Sequence, residues 1–104
     1  MFLAVFRNHK RPDIDSASYA TDAAAMESQA RAQPGFVSFK SYAADDGEVV
    51  AISQWMDEDA ARAWGRVEQH RGVQARGRAE YYAEYTLFAC ADPRVHHFTS
   101  RDPQ

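Results

Sequence analysis

Residues 53–85 read S-Q-W-M-D-E-D-A-A-R-A-W-G-R-V-E-Q-H-R-G-V-Q-A-R-G-R-A-E-Y-Y-A-E-Y, from Ser53 to Tyr85. The stretch opens as the end of an apolar strand at Trp55. It passes through Asp57, Glu58 and Asp59, where a helix macrodipole favours negative charge, into a segment with Ala60, Ala61, Trp64 and Val67 on one face. Gly72 and Gly77 are expected to break or bend this helix, leaving a shorter helical turn around Val73 to Arg76. From Tyr81 to Ala91 the aromatic and branched residues read as a strand, closed by Asp92-Pro93.

Upstream, Phe2 to Asn8 is a β-branched and aromatic run that stops at a polar cluster with Pro12, and reads as a first strand. Asp13 or Asp15 then caps a helix from about Ser16 to Ala32, with Tyr19, Ala23, Met26 and Ala30 on one stripe, ended by Pro34-Gly35. Strands Phe36 to Tyr42 and Val49 to Trp55 flank the turn-forming Asp45-Asp46-Gly47, an antiparallel hairpin. The order is β-α-β-β-α-β, an α+β ferredoxin-like domain with an antiparallel four-stranded sheet. The spacing predicts one domain over residues 1–92 and a C-terminal tail over 93–104, polar apart from Val95 and Phe98.

Such a sheet carries helices on one face only, so its other face must be polar or find cover. Strand one sets Leu3 and Val5 against Phe2, Ala4 and Phe6, and strand three sets Val49, Ala51 and Trp55 against Val50 and Ile52. Two apolar faces and one helical layer predict a homodimer, packed sheet to sheet.

At 104 residues the chain has room for one modest core. Hydrophobic residues at 45% and charged residues at 26% argue against disorder. Fifteen acids against twelve bases give a net charge of -3, which argues against nucleic acid as a partner. The apolar start is too short for a signal core and no run has membrane-spanning length, so no membrane association is expected. Cys90 has no partner for an internal disulfide and reads as a small buried hydrophobe, consistent with a cytoplasmic location. His96-His97 are adjacent in the tail, and no spacing resembles a closed metal-ligand set.

The sequence resembles the antibiotic biosynthesis monooxygenase domain family, within the dimeric α+β barrel superfamily. Pro34-Gly35-Phe36-Val37-Ser38, Ser53-Gln54-Trp55, Ala60, Trp64, His70, Arg71, Gly77-Arg78 and Tyr81 to Tyr85 carry the resemblance, which covers roughly Phe2 to Ala91. It implies two sheets paired into a barrel, a pocket between each sheet and its own helices, and an aromatic or quinol-type small molecule oxidised by dioxygen with no cofactor. Such chemistry needs a base, donors that hold the substrate anion, and an apolar wall that excludes water. Similarity across the superfamily also spans haem degradation and uncharacterised proteins, and a barrel that only binds a small hydrophobic ligand would share the pocket. In haem-degrading relatives the ligating histidine falls ten residues past the tryptophan, where this chain has Gln74.

Trp64 faces inward on helix two, as a core anchor or as a platform that stacks on an aromatic ligand. His70, about 120° further round that helix, is the candidate for proton transfer, although a helix C-terminus also favours histidine through its dipole. Arg62, Arg66, Arg71, Arg76 and Arg78 against the single Glu68 make the region basic. This is a solvated face, or else Arg66 or Arg78 orients a substrate anion. Asn8 and Gln54 at strand ends are candidate oxyanion donors. Strand alternation puts Tyr81 and Tyr85 on one face and Tyr82 on the other, with Tyr82 the candidate pocket donor.

Overall fold

The computed structural model describes residues 1–101, apart from the side chain of His70. The elements are β1 (Phe2–Lys10), α1 (Ser16–Arg31), β2 (Phe36–Ala43), β3 (Val49–Trp55), α2 (Glu58–His70), α3 (Val73–Arg76), a π-helical segment (Gly77–Tyr81) and β4 (Tyr82–Ala91). All strand pairs are antiparallel and their order is β2-β3-β1-β4. This is the expected α+β ferredoxin-like arrangement. The sheet of a single chain is open, with β2 and β4 as its edges. Among the described residues no helix is long and apolar enough to cross a membrane.

Local chemistry sets the element ends. Asp15 caps α1 by accepting from the Ser18 amide at 3.0 Å, and this bond holds its carboxyl below the usual aspartate value. Asp57 caps α2 in the same way, accepting from the Ala60 amide at 2.8 Å. α2 stops where Gly72 turns left-handed at φ 71°, a conformation a Cβ would penalise. The β2–β3 turn closes through Gly47 N–H donating to the Ala44 carbonyl at 3.0 Å. β1 runs on to Lys10, two residues beyond the expected strand. β4 starts at Tyr82 because Tyr81 completes the π-helical segment. Of the expected α1 stripe, Ala30 is buried, Tyr19 and Met26 are half-buried, and Ala23 is exposed.

Alternation divides the sheet into a helix side and an open side. Phe2, Ala4, Phe6 and Asn8 of β1 lie opposite Trp55, Ser53, Ala51 and Val49 of β3 on the helix side, where Trp55 meets Trp64 of α2. Trp55 anchors this layer. It is 1% exposed, meets Phe36 edge-on at 5.5 Å and donates from Nε1 to Ser53 Oγ at 3.1 Å. Truncating a tryptophan packed this closely costs about 3–5 kcal/mol.

The open side carries Leu3, Val5, Val50, Ile52 and Phe88, with Phe88 51% exposed. Cys90 pairs with Leu3 on this side and is exposed, so in the single chain it is not the buried hydrophobe expected. β4 is an edge strand, and its residues Phe88 and Cys90 on the open side are exposed.

Candidate active site on the helix side of the sheet

The helix side of β1 and β4 is aromatic. Phe6 lies 5.3 Å from Tyr82 and 5.2 Å from Tyr85, and those two tyrosines are 5.8 Å apart between ring centroids. Tyr19 of α1 closes the cluster, 6.3 Å from Tyr82 and 5.2 Å from Tyr81. The expected alternation of the tyrosines is corrected here. His9 pairs with Glu84 but Lys10 pairs with Tyr82, leaving Ala83 as the extra residue of a bulge. The bulge moves Tyr82 onto the face of Tyr85. Gly77 permits the resulting packing, because a Cβ there would stand 2.7 Å from Tyr82 Cε2.

Further along the same face, Tyr85 is 38% and Leu87 57% exposed. The helix side of β4 is thus exposed at this end, and the aromatic cluster borders an open face, the helix-side groove. The structure does not place the expected sheltered pocket beneath Trp64: the indole stacks half-buried on Trp55, and the two clefts beside Tyr81 are lined by other residues.

Several polar groups stand in or beside the cluster. Asn8 is 3% exposed, its Nδ2 donating to the Val49 carbonyl at 3.3 Å and its Oδ1 accepting from Lys10 Nζ at 2.5 Å. Asn8 thus orients Lys10 through Oδ1, while Nδ2, which carries two protons, gives one of them to Val49. Tyr85 accepts from Arg78 Nη1 at 2.9 Å, which leaves its own hydroxyl proton available. Glu68 of α2 is half-buried, and among the described residues it makes no hydrogen bond or ion pair. Burial raises its carboxyl to about 7. Tyr82 is pushed above the ordinary phenol value, by burial first and then by Tyr19 and the Glu68 carboxylate. Glu68 and Tyr82 are therefore electrostatic neighbours.

Glu68 was not singled out from the sequence, although a signal existed. It stands four residues after Trp64, hence on the same helical stripe, and a carboxylate on an apolar stripe is anomalous. The count of five surrounding arginines hid it. Of the expected site residues, Trp64, Asn8 and Tyr82 share the helix side. Gln54 pairs with Leu3 on the open side and does not join them. Arg66 is exposed, two residues and so about 200° round the helix from Trp64. The side chain of His70 lies outside the described residues. Gln74 is exposed on α3, and among the described residues no group of three or more His, Cys, Asp or Glu is placed to hold a metal.

A latch outside the groove holds Tyr81, the residue before Tyr82. Tyr81, 7% exposed, donates to Asp22 Oδ2 of α1 at 2.6 Å; this bond, then burial, pushes its phenol up to about 12. Arg76 Nε lies 3.7 Å from the same oxygen. Two shallow clefts of about 480 and 450 Å³ flank this latch and share Ser18, Glu80 and Tyr81, but neither is lined by Trp64, Asn8 or Tyr82.

The family model for antibiotic biosynthesis monooxygenases matches residues 1–76, well over half of the chain. The protein belongs to that family. No curated protein matches the chain. Among solved structures it is similar to Rv0793 from Mycobacterium tuberculosis, at 22% identity over 92% of this chain and 98% of that one, with a TM-score of 0.76. A mutant of SnoaB, a cofactor-independent oxygenase from Streptomyces nogalater, is 23% identical over 97% of both chains, with a TM-score of 0.68. PA3566 from Pseudomonas aeruginosa is 16% identical over 89% of this chain and 94% of that one, with a TM-score of 0.70. At these identities the likeness to solved structures is one of fold.

Proposed function

We propose that this chain is a cofactor-independent monooxygenase of an aromatic or quinol-type small molecule, working in the helix-side groove. The observation that carries this reading is Glu68, a carboxyl that titrates near neutrality on the Trp64 stripe and beside Tyr82. Family membership and the resemblance in fold to a cofactor-independent oxygenase support it.

The chemistry begins with a proton. A carboxylate with a pKa near 7 is matched to removing one from a phenol or an activated methylene at neutral pH. The resulting anion is electron-rich enough to reduce dioxygen. A methylene between aromatic rings becomes a ketone: both of its C–H bonds break, one oxygen atom of dioxygen enters the new carbonyl, and the other leaves as water with the two protons. All four electrons come from the substrate. Trp64 and Phe6 form the apolar wall on which the rings pack and from which water is displaced.

The working unit is a homodimer in which a second copy covers Leu3, Val5, Val50, Ile52 and Phe88 of the open side. Exposed apolar area on a sheet with no helix behind it supports this, since leaving it in water forgoes about 25 cal/mol per Å². We place the protein in the cytoplasm and treat residues 93–104 as a separate tail.

Oxygen uptake tests the reading. Purified protein is mixed with anthrone-like and quinol substrates, and wild type is compared with Glu68→Gln, His70→Ala and Trp64→Ala. Uptake by wild type that falls at least about tenfold in Glu68→Gln is the expected result. Binding seen in tryptophan fluorescence without any uptake would make the chain a binding barrel instead.

A further inference from the structure

We propose that Lys10, held by Asn8, is the anion-recognition point of the groove, and that its ligand is a planar aromatic molecule bearing an anionic oxygen. The assignment rests on the reading of the helix-side groove as the ligand site, but not on turnover.

The geometry is that of a prepared cation. Lys10 is the last residue of β1 and points to the helix side, two residues beyond Asn8. Its Nζ donates to Asn8 Oδ1 and stands 4.8 Å from the Tyr19 ring centroid and 5.5 Å from that of Tyr82. The Asn8 amide is buried, and its other end is pinned to the Val49 carbonyl, so the ammonium is held on a fixed support. An ammonium has three N–H groups, and one goes to Asn8. The two ring faces attract the charge without accepting both remaining protons.

No carboxylate forms an ion pair with it. Among the described residues Lys10 has no acidic partner within 4.0 Å. Asp22 on the facing helix accepts from Tyr81, Glu84 is on the opposite side of the sheet with His9, and Glu68, which faces Tyr82 from α2, makes no ion pair with Lys10. Arg11 donates to the Tyr82 and Arg78 carbonyls, and Arg78 to the Tyr85 hydroxyl, so two guanidiniums add positive potential at this end. A phenolate, enolate or aromatic carboxylate fits, its oxygen accepting from Lys10 Nζ and its ring packing against Tyr82 and Phe6.

The test uses 2-naphthoate and 2-naphthamide, which share a ring system and differ in charge, titrated into the full chain by calorimetry. Wild type is expected to bind naphthoate at least about tenfold more tightly than naphthamide. Lys10→Gln should abolish that preference while leaving naphthamide affinity within about twofold, and Lys10→Arg should keep most of it. Circular dichroism melts of each variant check folding. Equal wild-type affinity for the two probes, or a Lys10→Gln loss that is the same for both, overturns the Lys10 assignment and leaves the groove standing. Failure of both probes to bind wild type, or binding indifferent to Trp64→Ala, overturns the groove reading and this assignment with it.

Discussion

The indole of Trp64 lies over that of Trp55, ring centroids 6.4 Å apart and planes inclined by 23°. Trp55 is sealed beneath the stack and Trp64 is only half-buried above it, so two tryptophans nine residues apart do different jobs. Trp55→Ala is expected to lower unfolding stability by about 3–5 kcal/mol in urea titration. Trp64→Ala should cost less, about 1–3 kcal/mol, and should instead weaken aromatic ligands by roughly tenfold. Equal stability losses with unchanged ligand affinity would reduce Trp64 to packing.

Glu68 makes stability depend on pH in a definite direction. Its carboxyl titrates near the ordinary 4.5 in the unfolded chain and at about 7 in the folded one. The folded state holds the proton more tightly, so the associated stabilisation is complete below 4.5 and is lost as pH rises through about 7. Glu68→Gln, which cannot ionise, should therefore exceed wild type by about 1–3 kcal/mol near pH 8, and the gap should close at acid pH. Denaturation curves at three pH values decide it, and a gap that does not change with pH refutes it.

Gly77 and Tyr82 are in contact through the absence of a side chain. Gly77→Ala places a methyl against the Tyr82 ring and should cost about 1–3 kcal/mol. The same substitution should displace Tyr82 from the groove, so ligand affinity falls with stability. Adding Tyr82→Leu should recover stability but not affinity, which thermal melts and calorimetry on the double variant would separate.

The Tyr81 latch admits a sharper test. Tyr81→Phe removes only the hydroxyl that donates to Asp22, and loss of a hydrogen bond to a carboxylate is worth about 1.5–3 kcal/mol. The melting temperature should fall accordingly. No change would mean that water replaces the hydroxyl without penalty.

For the open side, Val5→Glu and Ile52→Lys each set a charge among apolar neighbours without touching the helix side. Sedimentation should show a dimer for wild type and a shift to monomer for either variant. A wild type that sediments as a monomer at every concentration excludes the sheet-to-sheet dimer.

The order of elements was legible because each boundary has a local cause: Asp57 before its helix, Gly72 after it, Asp46-Gly47 between two apolar runs. The inward position of Trp64 was equally legible from helical spacing. The face of Tyr82 was not, because it depends on the bulge at Ala83, and a bulge is set by how β4 registers against β1, not by β4 alone. Gln54 joins the candidate site only if a strand end is treated as a site without following the alternation from Trp55, which puts the two on opposite faces.

What the chain dictates by itself is therefore whatever acts within about one helical turn or one strand repeat: caps, breaks, periodicity, and an apolar pattern on both faces of the sheet. Tertiary structure alone decided which side chains meet across elements. It set the Lys10 ammonium over Tyr19 and Tyr82, engaged both ends of the Asn8 amide, and brought Glu68 beside Tyr82 in surroundings dry enough to raise its pKa. Desolvation and the field of neighbouring groups belong to the assembled layers, and residues far apart in sequence acquire them only when the sheet and helices close on one another.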